Sequence, residues 1–309
     1  RLCMGTMSFG READAGESKK IFEACLDAGI NIFDCANGYA GGESEKILGK
    51  LAKPHRDDLI ITSKVCGQQG DDRNARGLSR RHIMKAIDDS LARLDMDYID
   101  IYFMHQIDPR TPIEESMSAL NDLVRDGKIR YIGISNHAAW QVMKAVGIAA
   151  LRNWERVQCL QPMYSLVKRT AEVEILPMAQ DQQIGVINYS PLGGGLLTGK
   201  YATGAATDES RLHVNTGYTK RYGEPLLHRT AEKFAAFAHD RGISPVTLAV
   251  AWCMRHPAIT APIVGARNLE QLRPSLDAAD FALDDALYRS ITEISPAPPV
   301  ANDRTETVA

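Results

Sequence analysis

Residues 29–49 read Gly29-Ile30-Asn31-Ile32-Phe33-Asp34-Cys35-Ala36-Asn37-Gly38-Tyr39-Ala40-Gly41-Gly42-Glu43-Ser44-Glu45-Lys46-Ile47-Leu48-Gly49. An apolar strand carries Asp34 to its C-terminal end, a glycine-containing loop presents Tyr39, and a helical period begins after Gly42. This is a βα unit with a carboxylate and a phenol at its mouth. Taken alone, the two side chains are as well explained by a polar pair satisfied inside a loop. The neighbouring strand ends change that reading.

Working outward, a strand-sized run followed by a helical segment recurs eight times. Strands are expected over 2–5, 31–34, 59–64, 98–104, 129–135, 157–162, 185–190 and 261–265. The helices that follow them are expected over 17–28, 43–53, 79–94, 112–125, 140–150, 172–182, 229–239 and 269–279, with extra helices at 245–255 and 284–294. Ser79 reads as an N-cap, with His82 where a capping box would want Glu. Eight such units without a linker imply an α/β chain folded as one (β/α)8 TIM barrel over residues 1–295, with long loops at the C-terminal face. A doubly wound sheet is the alternative, but it would want GxGxxG after the first strand, and Gly5-Thr6-Met7-Ser8-Phe9-Gly10 is not that motif. Residues 296–309, rich in Pro and Ala, are expected to fray or to lie over a barrel face. The chain enters a strand almost at Arg1, so native residues are expected before it.

The 309 residues carry a net charge of −3 with no long run of either sign, so neither nucleic-acid nor membrane-surface binding is expected. No signal peptide or membrane span is visible. The cysteines Cys3, Cys25, Cys35, Cys66, Cys159 and Cys253 are scattered, which argues against a disulfide framework or structural zinc and for a reducing, cytoplasmic setting. No metal site is expected, and Gly5-Thr6-Met7 offers no HxH for a barrel hydrolase.

In such a barrel, catalytic groups gather where strands end at the C-terminal face. Strand two contributes Asp34 and Tyr39, strand three Lys64, strand four His105, strand five Ser135 and Asn136, strand six Gln161, and strand seven Tyr189 and Ser190. Lys64 can pair with Asp34 and, by its charge, lower the pKa of Tyr39 from about 10. The set then suits carbonyl reduction. Tyr39 is the general acid, Lys64 tunes it, Asp34 holds Lys64, and His105 polarises the carbonyl oxygen. Side chains supply no hydride, so a nicotinamide is required. Ser135, Asn136 and Gln161 match its carboxamide, and Tyr189 can stack on its ring. Cys35, beside Asp34, reads as a small apolar filler.

Taken together and in order, these motifs resemble the aldo-keto reductase family over essentially the whole chain. They are Gly5-Thr6-Met7, Asp34 to Tyr39 with Gly42-Glu43-Ser44-Glu45, Lys64, Met104-His105, Gly127 to Asn136, Tyr189-Ser190-Pro191-Leu192, Leu196 to Lys200, and Gly265-Ala266-Arg267. The bacterial-type and potassium-channel β-subunit-like branches are the more similar ones. The resemblance implies the (β/α)8 barrel, an N-terminal hairpin across its floor that this numbering lacks, an extended NADPH, and the tetrad Asp34, Tyr39, Lys64 and His105. It implies that Gly5, Thr6 and Met7 help seat the cofactor. It further implies that Ser190, Leu192, Gly193, Gly195 and Lys200 wrap the pyrophosphate, and that Gly265, Arg267 and Gln271 hold the adenosine half. Where the family has Glu-Asn at the adenine, this chain has Pro274-Ser275. NADPH is expected over NADH, with Arg267 pairing the 2′-phosphate.

The long connection 193–226 is expected to be a clamp over the cofactor or a partly disordered loop. Substrate loops are expected around 67–78, 106–111, Trp140 and 203–224, with Phe9, Trp140 and Tyr218 as apolar walls. Asn37, Asp71, Asp72, Arg73, Asn74 and Arg76 are candidates to contact hydroxyls of a polyol-like or sugar-like carbonyl substrate. Rival readings are an NADPH-binding regulatory or redox-sensing barrel and a Schiff-base aldolase using Lys64. Homo-oligomerisation stays open.

Overall fold

The computed structural model describes residues 1–201, 204, 206–207 and 210–302. Eight strands alternate with helices along the chain. The first half runs β1 (Cys3–Gly5), α1 (Ala15–Asp27), β2 (Ile32–Asp34), α2 (Glu43–Ala52), β3 (Ile60–Val65), α3 (Arg80–Leu94), β4 (Ile99–Met104) and α4 (Ile113–Arg125). There follow β5 (Ile129–Ser135), α5 (Ala139–Arg152), β6 (Val157–Gln161), α6 (Ile175–Asp181) and β7 (Gly185–Val186). The chain then forms α7 (Arg211–Val214), α8 (Thr216–Tyr222), α9 (Pro225–His239), α10 (Pro245–Arg255), β8 (Ile263–Val264), α11 (Leu269–Leu276) and α12 (Asp285–Thr292).

All paired strands are parallel, in the order β7-β6-β5-β4-β3-β2-β1-β8. Backbone bonds close the remaining seam, from Thr260 N to Val186 O at 2.9 Å and from Ile263 N to Asn188 O at 2.8 Å. The result is the expected barrel. At this seam β7 and β8 span only two residues each, against six and five expected. There the Thr260 hydroxyl, rather than a backbone carbonyl, accepts the Val186 N–H, which interrupts the regular ladder.

Two cores follow from strand alternation. Outward side chains pack with the helices in one large cluster that includes Phe33, Ile61, Ile83 and Leu120. Inward ones (Cys3, Phe103, Cys159, Ile187, Ala261 and Ile263) fill the barrel. Gly133 on β5 makes room for Phe103, since a Cβ there would lie 2.4 Å from its ring.

Helix starts follow the expected chemistry. Asp14 and Asn268 cap α1 and α11, and Ser79 caps α3 by accepting from His82 N at 3.4 Å. The stretch 193–226 differs from a plain loop. It contains a glycine-rich turn (Gly193–Thr198) and the short helices α7 and α8, tied together by Thr219 Oγ1 donating to Leu212 O. Residues 202, 203, 205, 208 and 209 of this stretch and 303–309 of the tail lie outside the described residues, while 296–302 forms no regular element. No helix among the described residues is long and apolar enough to cross a membrane.

Candidate active site

Asp34 and Thr62 are register partners on β2 and β3, and Lys64 follows Thr62 by two residues, so all three point into the barrel. Lys64 is 0% exposed. Its Nζ donates to Asp34 Oδ2 at 2.6 Å and to Cys35 O at 2.7 Å, and lies 3.4 Å from Tyr39 Oη. The other carboxylate oxygen of Asp34 accepts from Thr62 Oγ1 at 2.6 Å and from Gln161 Nε2 at 2.8 Å. A buried charge pair is tolerated only when its remaining hydrogen-bonding capacity is satisfied, and here four protein groups do so.

Tyr39 arrives by a turn in which Ala40, Gly41 and Gly42 all have positive φ (48, 65 and 95°). Glycine suits position 42 because of its left-handed φ of 95°, and a Cβ there would also press on Arg93 Cδ at 2.8 Å. The phenol ring is half-buried and meets His105 edge-on, with centroids 6.2 Å apart. His105 is anchored through its backbone, with His105 N donating to Val65 O and its carbonyl accepting from Asn136 Nδ2.

The expected lowering of the Tyr39 pKa is overturned. Burial raises it more than Lys64 lowers it, and the phenol is pushed up to about 12. For Lys64, burial opposes the charged form, but Asp34 and Tyr39 outweigh it and hold the ammonium above its ordinary value. Burial, reinforced by Lys64, takes His105 down to about 4. At neutral pH the site therefore holds a protonated phenol, an ammonium and a neutral imidazole. Cys35 is buried beside Ser44 Oγ at 3.2 Å, and burial raises its thiol to about 12, in keeping with a filler. All six cysteines are free and buried, and the described residues contain no metal-holding cluster.

The expected carboxamide seat is connected to this centre. Ser135 Oγ donates to Gln161 O, Asn136 Nδ2 to Ser135 Oγ, and Tyr189 Oη to Asn136 Oδ1 at 2.7 Å. The amide nitrogen of Gln161 donates to Asp34 Oδ1. Beyond Tyr189 the backbone turns left-handed at Ser190, Gly193, Gly194 and Gly195, with Gly195 N donating to Leu192 O. A Cβ at Gly195 would lie 3.5 Å from Lys200 Nζ, so bare backbone and a cation stand together. At the α11 end, Arg267 N donates to Gln271 Oε1, and Glu17 Oε1 accepts from Leu269 N at 2.8 Å.

Packing sets the surroundings of the other residues expected at cofactor or substrate. Gly5 is required by the seam, where a Cβ would meet Ile263 Cγ2 at 2.7 Å. Thr6 is buried, donates to Asp34 O and accepts from Ser44, while Met7 is half-buried. Ser275 is buried in α11. Phe9 and Asn37, candidates for substrate contact, are buried as well. From the sequence, Thr62 stands at the end of strand three with no role given to it. The period-two spacing to Lys64 was the signal that would have found it.

The aldo/keto reductase family model matches residues 1–296. A Bacillus subtilis (strain 168) protein called "Uncharacterized oxidoreductase YrpG" is 38% identical, covering 96% of this chain and 93% of its own. A "Probable voltage-gated potassium channel subunit beta" of Oryza sativa subsp. japonica is 36% identical, covering 89% of this chain and 85% of its own. The "L-glyceraldehyde 3-phosphate reductase" of Escherichia coli (strain K12) is 32% identical, covering 88% and 81%. With strands, barrel and relatives in agreement over nearly its whole length, this chain is an oxidoreductase belonging to the aldo/keto reductase family.

Proposed function

We propose that the protein reduces aldehyde or ketone carbonyls to alcohols, reversibly, with NADPH preferred over NADH. The observation that carries this is the fully buried Lys64 ammonium, bound at once by Asp34 and Cys35 O and 3.4 Å from the Tyr39 hydroxyl. A reduced nicotinamide supplies a hydride when bound.

The residues of this chain do the rest. The neutral His105 imidazole donates a hydrogen bond to the substrate oxygen and orients it. Tyr39, kept protonated by burial, gives up its Oη proton as negative charge develops on that oxygen. The nascent phenolate is then stabilised by Lys64, which is held by Asp34, itself fixed by Thr62. In the oxidation direction the same phenol has to lose its proton first, so reduction is favoured near neutral pH.

Ser135 and Asn136 would hold the carboxamide, and Tyr189 would stack on the ring. Ser190, Leu192, Gly193, Gly195 and Lys200 suit a pyrophosphate, since a left-handed glycine turn beside an ammonium accommodates an anion closely. Gly265, Arg267 and Gln271 would take the adenosine half.

The test follows NADPH consumption against a panel of carbonyls, with Tyr39→Phe as control. Turnover that collapses in the variant while NADPH still quenches protein fluorescence supports the reading. If both proteins bind NADPH and neither turns over, the regulatory alternative takes its place, in line with the channel-subunit names of some relatives. Equal dissociation constants for NADPH and NADH would overturn the cofactor preference.

A further inference from the structure

The loops that follow Lys64 and His105 enclose a cavity of about 270 Å³, lined by Cys66, Gln68, Arg76, Gln106, Asp108 and Arg110 among others. Two backbone bonds form the neck of the first loop: Gly77 N donates to Cys66 O and Gln69 N to Ala75 O, each at 2.8 Å. The neck is anchored at Cys66, two residues after Lys64 in the chain, and Arg76 sits between the tied residues Ala75 and Gly77. The Arg76 guanidinium makes no hydrogen bond or ion pair among the described residues.

The second loop is locked to the first by one carboxylate. Asp108 accepts from Leu78 N at 2.8 Å, from Thr111 Oγ1 at 2.8 Å and from Arg110 N at 3.1 Å. Gly77 is held against it so closely that a Cβ would lie 2.3 Å from Asp108 Oδ2. The side chain of Asp108 is only 6% exposed, whereas that of Arg110 is 64% exposed and 3.7 Å away. Asp108 is thus committed mainly to backbone and hydroxyl donors of the wall, with a long ion pair to Arg110, and both Arg76 and Arg110 are exposed to solvent. An adjoining cavity of about 360 Å³ shares Arg110 and adds Lys144 and the exposed Trp140. The charged groups lining the two cavities are Arg76, Arg110 and Lys144 against Asp108 alone, on a chain whose net charge is −3.

We infer that this mouth selects carbonyl substrates bearing an anionic group, a phosphate or a carboxylate, which Arg76 and Arg110 bind while the carbonyl reaches Tyr39 and His105. The inference rests on the reductase reading and narrows its substrate class. Guanidinium pairs recognise such anions by charge-assisted, bidentate hydrogen bonds. A neutral polyol would offer Arg76 no counter-charge and Arg110 none beyond its long, exposed pair with Asp108.

The experiment compares glyceraldehyde 3-phosphate and succinic semialdehyde with glyceraldehyde and butyraldehyde, in the wild type and in Arg76→Gln, Arg110→Gln and the double variant. The expected result is a higher kcat/KM for the anionic pair in the wild type. Each variant is expected to lower it about tenfold, chiefly through KM, with the neutral pair changed less than about twofold and NADPH binding unchanged. Arg110→Lys is expected to retain part of the preference. Greater loss with the phosphate than with the carboxylate probe identifies the phosphate as the better fit.

Binding of glycerol 3-phosphate against glycerol, by calorimetry on the same proteins, separates the two readings. Loss of glycerol 3-phosphate binding in the variants of a protein that turns nothing over supports the anion site and sinks the reductase. Turnover of neutral aldehydes with no anionic advantage, unchanged in the variants, overturns the anion site and leaves the reductase standing.

Discussion

Two buried carboxylates lie on either side of strand β3, each paired to a cation, and they serve different ends. Inside the barrel, Asp34 binds Lys64, whose ammonium also reaches a phenol at the mouth. On the helix side, Glu45 of α2 accepts from Ser63 Oγ at 2.5 Å and from Arg93 Nε of α3 at 2.6 Å. Ser63 and Lys64 are adjacent residues pointing to opposite faces of one strand. Of the two, the inner pair is the one that reaches a phenol at the barrel mouth. The outer pair ends within the packing, joining α2 and α3 to the sheet behind the Tyr39 turn. Burial of an ion pair therefore does not identify a reactive site; what its cation touches next does.

The largest effect expected from breaking the inner system is chemical. Tyr39→Phe should lower carbonyl reduction by about 10²–10⁴-fold with cofactor binding retained, measured as kcat and as fluorescence quenching. Lys64→Met should abolish turnover too and destabilise the fold by about 3–5 kcal/mol in denaturant unfolding, because Asp34 is left buried and uncompensated. In the outer system, Glu45→Gln should cost about 3 kcal/mol by the same argument while kcat per folded molecule stays within a few-fold. A kcat loss matching that of Lys64→Met would erase the contrast.

A smaller, pH-dependent effect should appear at His105. Its folded pKa of about 4 lies below the unfolded value of about 6.5. As pH falls through that window the unfolded chain takes up the proton first, so the native state loses stability between about 6.5 and 4 and no further below. His105→Gln should flatten this part of the Tm-against-pH curve relative to wild type; parallel curves would refute the assignment. The smallest change is expected at an exposed pair, Lys85 and Asp89 one helical turn apart at 2.9 Å. Lys85→Ala should alter stability by no more than about 0.5 kcal/mol.

The barrel was legible because each strand and helix writes its own period into the chain, and because β5, for instance, is bounded on both sides by turn residues. The grouping of Asp34, Lys64 and His105 was legible because strand ends in a barrel converge, so they could be collected before any distance was known. The seam was less so, since β7 and β8 pair through irregular bonds such as that of Thr260. The fates of Thr6, Phe9 and Ser275 were also hidden, because burial is a property of what packs against a residue and not of the residue itself.

The sequence by itself determined the order of elements, the family and the residues available at the mouth, since local periodicity and spacing are carried by the chain alone. Only the tertiary structure decided the protonation state of Tyr39, where desolvation outweighs Lys64. It likewise decided that Gln161 serves Asp34 and that Arg76 and Arg110 share a wall built on Asp108. Those outcomes depend on distances between residues remote in the chain, and on the water their packing excludes.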